Sequence, residues 1–76
     1  MMRLMKKSLL NKEAIEMIYL SKDSIISQRR VTLLDIKEDE VRGFCHLRRS
    51  VRTFKLERIL SVYPLKESVK SISLNG

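Results

Sequence analysis

The sequence is poor in the residues that cross-link or interrupt a chain: it has one cysteine, one proline and two glycines. A single cysteine, Cys45, excludes an internal disulfide, and with the one histidine, His46, it provides too few ligands for a structural zinc site. Since no Pro-, Gly- or Ser-rich linker divides the chain, we expect one domain over residues 1–76. A chain without disulfides fits a reducing, cytoplasmic setting.

Motifs of common catalytic and membrane segments are also missing. No Gly-rich phosphate loop, nucleophile elbow or spaced Cys/His set occurs. Cys45 and His46 are adjacent, so on a strand they would point to opposite faces and could not act as nucleophile and base. We predict that Cys45 is buried and His46 exposed. We therefore expect no enzyme activity and no cofactor or metal. No apolar run approaches the roughly 20 residues that span a bilayer, so we expect no membrane partner.

What the chain does have is positive charge, and that charge is concentrated. Lys and Arg number 16 against nine Asp and Glu, which gives a net charge of +7. Residues 42–58 hold six of the 16 cations, five of them arginine, and one carboxylate, Glu57. Guanidinium groups bind phosphate in a bidentate fork and stack on bases, which favours a nucleic-acid or nucleotide partner. Solubility alone is the competing explanation for a charge of this size.

Hydrophobic periodicity predicts a mainly β protein. Met2, Met5 and Leu9 have helical spacing, whereas the rest of the sequence reads as short strands separated by turns. The predicted elements are a helix at 2–10, strands at 13–20, 25–36, 41–47, 51–56 and 59–63, and a C-terminal tail at 64–76. Closely spaced strands without intervening helices imply an antiparallel sheet. We therefore predict a small five-stranded SH3-like or Sm-like barrel with a short N-terminal helix, the barrel occupying about residues 13–63.

Alternation along the third and fourth strands assigns residues to faces. On the third strand the residues of one parity are Arg42, Phe44, His46 and Arg48, and on the fourth they are Arg52, Phe54, Leu56 and Arg58. If the two sets lie on one side of the sheet, arginines flank an apolar centre. Both phenylalanines are predicted to be core residues, because a chain with four aromatics in total needs them there.

Two arginines within residues 42–58 have a structural role as an alternative to ligand binding. Arg52 and Arg58 either contact a ligand or pair with Glu57, Asp35 or backbone carbonyls to hold the barrel together. The pattern does not separate these two interpretations.

Four segments resemble the bacterial WYL domain in order and spacing. They are Met17-Ile18-Tyr19, Arg29-Arg30-Val31, Cys45-His-Leu-Arg48 and Arg52-Thr-Phe-Lys-Leu-Glu-Arg-Ile59, of which the last matches the closing motif of the family almost position for position. The family's Trp-Tyr-Leu tripeptide falls on Asp39-Glu40-Val41, so its two aromatics are missing. Leu33 stands where the family usually has proline.

The resemblance implies an Sm-like barrel that senses nucleic-acid or nucleotide-like ligands. WYL domains typically sit behind a DNA-binding winged helix in transcription regulators, and some act beside CRISPR effectors. In this chain we expect a protein partner to supply DNA binding. The residues predicted to bind single-stranded nucleic acid or a nucleotide-like anion are Arg29, Arg42, His46, Arg48, Arg49, Arg52, Lys55 and Arg58. The alternative function is protein interaction or self-association as a homo-oligomer acting on a larger regulator.

Overall fold

The structure is a computed structural model that describes residues 1–65. It contains one helix, five strands and a short 3₁₀ helix at Leu56–Arg58. The elements are α1 (Met2–Asn11), β1 (Ala14–Leu20), β2 (Ile26–Ile36), β3 (Glu40–Cys45), β4 (Ser50–Lys55) and β5 (Ile59–Pro64). The strands form one antiparallel sheet in the order β4-β3-β2-β1-β5. The predicted mainly β fold with an N-terminal helix is therefore confirmed.

The predicted boundaries differ from the structure by one or two residues. The third strand ends at Cys45 and not at residue 47, because the chain turns over residues 46–49. The predicted tail begins at residue 64, but Pro64 still belongs to β5. Residues 66–76 of that tail lie outside the described residues.

The long strand β2 is shared between two neighbours. Residues 26–32 pair with β1, whereas residues from 31 onwards pair with β3, and the register shifts between Leu33 and Asp35. A register shift of this kind bends a strand and increases its twist, which lets a small sheet curl towards a barrel. Because β3 ends opposite Val31, the first part of β2 extends beyond the end of β3.

Alternate residues of the strands pack with α1 into one core. The fully or nearly fully buried hydrophobic side chains are Met5, Ile15, Met17, Val31, Leu33, Val41, Cys45, Phe54 and Ile59. Tyr19 of β1 meets Phe54 of β4 edge-on, with ring centroids 5.1 Å apart. The Tyr19 hydroxyl also accepts a hydrogen bond from the Lys55 backbone N–H at 3.2 Å. Tyr19 thus links β1 to the end of β4, although two strands, β3 and β2, lie between them in the sheet order.

The prediction that both phenylalanines lie in the core is half wrong. Phe54 is 2% exposed and belongs to the core. Phe44 is half-buried on the opposite, outer face of the sheet, where its ring meets His46 edge-on. The inner face of β3 is instead formed by Val41, Gly43 and Cys45. The two alternating sets therefore lie on opposite faces, since Val41 and not Phe44 is opposite Phe54.

The C-terminus of α1 requires a left-handed residue, and a lysine occupies it. Lys12 has φ 55° and ψ 40°. Its N–H donates to the carbonyl of Leu9, and the next N–H donates to the carbonyl of Ser8, which is the hydrogen-bond pattern of a Schellman motif. Glycine adopts this conformation without steric cost, whereas a side chain disfavours it.

Replacing Lys12 by glycine is therefore expected to stabilise the protein. The left-handed conformation costs a non-glycine residue about 1 kcal/mol, and urea denaturation should show a gain of up to about that size in the free energy of unfolding. Lys7→Gly is the matched control, because Lys7 is exposed within α1 and glycine there should destabilise the protein by about 1 kcal/mol. A loss of stability in both variants would contradict the proposed role of the Lys12 backbone.

Candidate functional site

A basic turn connects β3 to β4. It comprises His46, Leu47, Arg48 and Arg49, all exposed, and we call it the basic turn. Arg49 has φ 54°, which closes the turn in a left-handed conformation. The ladder between β2 and β3 ends here with a hydrogen bond from the His46 N–H to the Arg30 carbonyl at 3.0 Å. The turn therefore lies beside the part of β2 that β3 does not cover.

An open depression lies between the basic turn and the part of β2 that β3 does not cover. Its volume is about 410 Å³, and we call it the β2 depression. Its lining residues come from β1, β2 and the basic turn. They are Glu16, Gln28, Arg29, Arg30, His46 and Leu47. The depression thus combines three cationic or titratable side chains with one carboxylate.

Hydrogen bonds fix several polar side chains of the depression. The Gln28 amide Nε2 donates to Glu16 Oε2. His46 Nε2 lies 2.7 Å from Thr32 Oγ1, within hydrogen-bond distance, and the imidazole contacts the Phe44 ring at a centroid distance of 5.1 Å. Such contacts reduce the rotamer freedom that a side chain would lose on binding a ligand.

Arg29 borders both the depression and the core. Its Nε donates to Ser27 Oγ at 3.2 Å, and its Nη1 lies 3.9 Å from the sulfur of Cys45. The prediction that Cys45 is buried is confirmed, with 0% exposure. Burial acts to raise the pKa of the Cys45 thiol, but hydrogen bonds from the Arg48 backbone, the Arg29 side chain and the Leu47 backbone, with the charge of Arg29, outweigh it and lower that pKa. Arg29 and the backbone of the basic turn therefore surround this thiol with hydrogen-bond donors and positive charge.

The structure does not bring all eight predicted binding residues together. Arg29, His46, Arg48 and Arg49 lie at the basic turn and the β2 depression. Arg42 is four residues before His46, about 13 Å away at the rise of a strand. The other three predicted residues, Lys55, Arg52 and Arg58, lie on the edge strand β4 or in the 3₁₀ helix that follows it.

Three of the remaining cations have structural neighbours that partly account for them. Arg42 lies opposite Asp35 in the β2–β3 ladder, and Lys55 lies opposite Glu40 in the β3–β4 ladder; such cross-strand pairs of opposite charge stabilise a sheet. Arg58 Nη1 donates to the Ser21 carbonyl at 2.9 Å. The structural interpretation of Arg58 is thus the one that the geometry supports.

Four residues of this region, Arg30, Glu16, Tyr63 and Gln28, were not among the predicted binding residues. His46, Arg30, Glu16 and Tyr63 form a row across β3, β2, β1 and β5, since Arg30 lies opposite Glu16 and Glu16 opposite Tyr63. Gln28 adjoins this row. The sequence carries no signal for such a row, because it depends on the register between strands that are far apart along the chain.

Two further properties of residues 1–65 bear on function. None of their helices has the length and apolarity needed to cross a membrane. The same residues contain no group of three or more His, Cys, Asp or Glu side chains placed to hold a metal ion.

Comparison with known proteins establishes the fold. The structure is similar to proteasome accessory factor B/C (PafBC) of Arthrobacter aurescens, with a TM-score of 0.74 and 22% sequence identity. The similarity covers 83% of this chain but 11% of that one, so this chain spans about a tenth of the length of that protein. No protein-family model and no curated protein matches the sequence. The likeness to part of PafBC therefore supports the barrel-like fold.

Proposed function

We propose that this protein is a non-enzymatic regulatory module that binds single-stranded nucleic acid or a nucleotide-like anion at the β2 depression and the basic turn. The observation that carries the proposal is the charge at this end of the sheet. Arg29 and Arg30 line the depression and Arg48 and Arg49 lie in the adjoining turn, whereas Glu16 supplies the one carboxylate among the lining residues. The lowered pKa of the Cys45 thiol agrees with this proposal, because Arg29, which lines the depression, contributes to the lowering.

The shape of the depression indicates an extended ligand. It is shallow and open, whereas sites for small apolar molecules are enclosed and mostly lined by hydrophobic side chains. Proteins that bind single strands combine a basic groove with aromatic rings on which bases stack. Tyr63, which is 54% exposed, supplies a ring on β5 opposite Glu16.

The resemblance to WYL domains supports a regulatory role. Those domains sense nucleic-acid or nucleotide-like ligands within transcription regulators, and the arginines of the basic turn adjoin the motif Arg52–Ile59 that carries the resemblance. The similar segment of PafBC is likewise a small part of a longer chain. We infer that the module acts together with a larger cytoplasmic protein that supplies DNA binding.

Neutralising the basic turn is expected to weaken binding of a single strand. In Arg48→Gln/Arg49→Asn two cations are removed, and asparagine suits the left-handed φ of Arg49. Fluorescence anisotropy with a labelled single-stranded DNA should show about a tenfold loss of affinity at low salt. The slope of log K against log salt should become shallower by about 1.4, since each phosphate contact on a single strand contributes about 0.7.

The matched control is Lys6→Gln/Lys7→Gln. It removes the same charge from exposed positions of α1, which does not line the β2 depression, so its affinity should change little. An equal loss in both double variants would reduce the effect to net charge and contradict the site. Absence of binding to single-stranded DNA, single-stranded RNA and duplex by the unmodified chain at low salt would contradict the function.

Self-association or protein interaction is the second candidate function. The observation that favours it is β4, an edge strand of the sheet with five of its six residues exposed. Exposed edges pair with other strands, although charges such as Arg52 and Lys55 oppose pairing with an identical edge. Light scattering distinguishes the two: a mass that rises with concentration, together with no nucleic-acid binding, would favour self-association.

A further inference from the structure

A carboxylate lies inside the otherwise basic β2 depression. Glu16 is half-buried on β1, opposite Arg30. A site that received phosphate alone would be weakened by it, because the negative charges repel at short distance. The ligand group that approaches Glu16 is therefore expected to donate hydrogen bonds.

The orientation of this carboxylate is set by its neighbour. Gln28 donates to Oε2 and holds the group in place. A carboxylate has two oxygens with about four acceptor positions, so Oε1 and the free lone pair of Oε2 are able to accept from a ligand. Two adjacent N–H donors would fit them in a bidentate pair.

Among the common bases, guanine has this pair of donors on its Watson–Crick edge. Its N1–H and its N2 amino group are adjacent and point the same way. Adenine and cytosine present one amino group next to a ring nitrogen that accepts, and thymine presents one N–H between two carbonyls. In those three bases an acceptor would face the carboxylate, which leaves polar groups unpaired.

The surrounding residues are placed for the rest of a nucleotide. Tyr63 lies opposite Glu16 on β5 and on the same face, where its ring can stack on a base. On the side of Glu16 away from Tyr63, Arg30 lies on the neighbouring strand β2, and His46 lies one strand further, just past the end of β3. At about 4.8 Å between neighbouring strands, His46 is about 10 Å from Glu16. This span separates a base at Glu16 from a phosphate at the basic turn.

From this arrangement we propose that the β2 depression selects guanine in a bound single strand, with Glu16 reading the base, Tyr63 stacking on it and the arginines holding the phosphates. The inference rests on the proposed function and adds a base preference to it. Glu16 thereby acts as the specificity residue of a site whose affinity comes from charge.

The test is a series of labelled dT oligonucleotides that differ in one central base. The central base is guanine, hypoxanthine, adenine, cytosine or thymine, so that every probe carries the same number of phosphates. Hypoxanthine keeps N1–H but lacks the amino group at position 2, which makes it the matched partner of guanine. We expect the guanine probe to bind about tenfold more tightly than the adenine, cytosine and thymine probes, with hypoxanthine between them.

The matched variant is Glu16→Gln, which keeps the size of the side chain and removes its charge. It should bind all five probes with similar affinity and bind the thymine probe at least as tightly as the unmodified chain does. Equal affinities of the unmodified chain for all five probes would overturn the base preference and leave the proposed function standing. A guanine preference that persists in Glu16→Gln would overturn the role of Glu16. If no probe binds to the folded chain, the proposed function fails and the preference fails with it.

Discussion

Phe54→Ala is expected to remove a large part of the stability of this protein. Phe54 is 2% exposed and packs edge-on against Tyr19. Truncating a buried phenylalanine costs about 3–5 kcal/mol, and a chain of 76 residues has a total of about 4–11 kcal/mol at 0.05–0.15 kcal/mol per residue. The change also loosens the link between β1 and the end of β4. Urea denaturation followed by circular dichroism measures the loss.

Phe44→Ala is the control for the face that each phenylalanine occupies. Phe44 is half-buried on the outer face and lies outside the core cluster, so its truncation should cost clearly less than that of Phe54. An equal loss of stability in the two variants would contradict the assignment of Phe44 to the outer face. This pair of variants therefore tests the register of β3 as well as the core.

Gly43→Ala is expected to be the second most damaging change. A Cβ at this position would lie 2.5 Å from Val31 Cγ1 and 3.0 Å from the Thr32 carbonyl oxygen. Contacts this short force a shift of β2 or β3, and inserting a methyl group into a packed core costs about 1–3 kcal/mol. The variant should show a lower urea midpoint, with the β structure retained in its circular dichroism spectrum.

A second substitution at Val31 separates crowding from other effects. Val31→Ala removes the atom nearest to the new Cβ, so it should cost less stability in the Gly43→Ala background than in the unmodified chain. The coupling energy expected for residues in contact is about 0.5–3 kcal/mol. Additive losses would show that Gly43 is required for another reason.

The sequence predicts the secondary structure well because each element satisfies its own local pattern. Alternation locates the strands, and the spacing of Met2, Met5 and Leu9 locates α1 to within a residue. Lys12 is a residue whose conformation no pattern indicates, since its left-handed backbone follows from the chain direction required between α1 and β1.

Alternation does not say which of two faces is buried. Size favours Phe44 over Gly43 as a core residue, yet position 43 faces inwards, where a Cβ would lie 2.5 Å from Val31 Cγ1 and would force a shift. Only one of the two phenylalanines can lie on the inner face. Phe54 is opposite Val41 on that face, whereas Phe44 is opposite Val51 on the outer face. The constraint lies in the register of two strands and is invisible in either strand alone.

Only part of the candidate site can be predicted from the sequence, because the rest depends on the register between strands. The basic turn is contiguous in the sequence, so the concentration of arginine reveals it. Glu16 and Tyr63 are 47 positions apart by their numbers and meet only through the β1–β5 ladder. A local reading therefore finds the charge of the site and misses the groups that would give it selectivity.

Because β3 ends early, the length of the β3–β4 hairpin determines how much of β2 is left uncovered. The β2 depression exists because β3 stops at Cys45 while β2 extends past it. Inserting two residues on each side of the basic turn would let the hairpin grow along β2 and fill the space, and the arginines would move outwards with its tip. Deleting residues would widen the opening at the cost of core contacts around Cys45. The length of the β3–β4 hairpin thus sets the size of the depression without substitution of any lining residue.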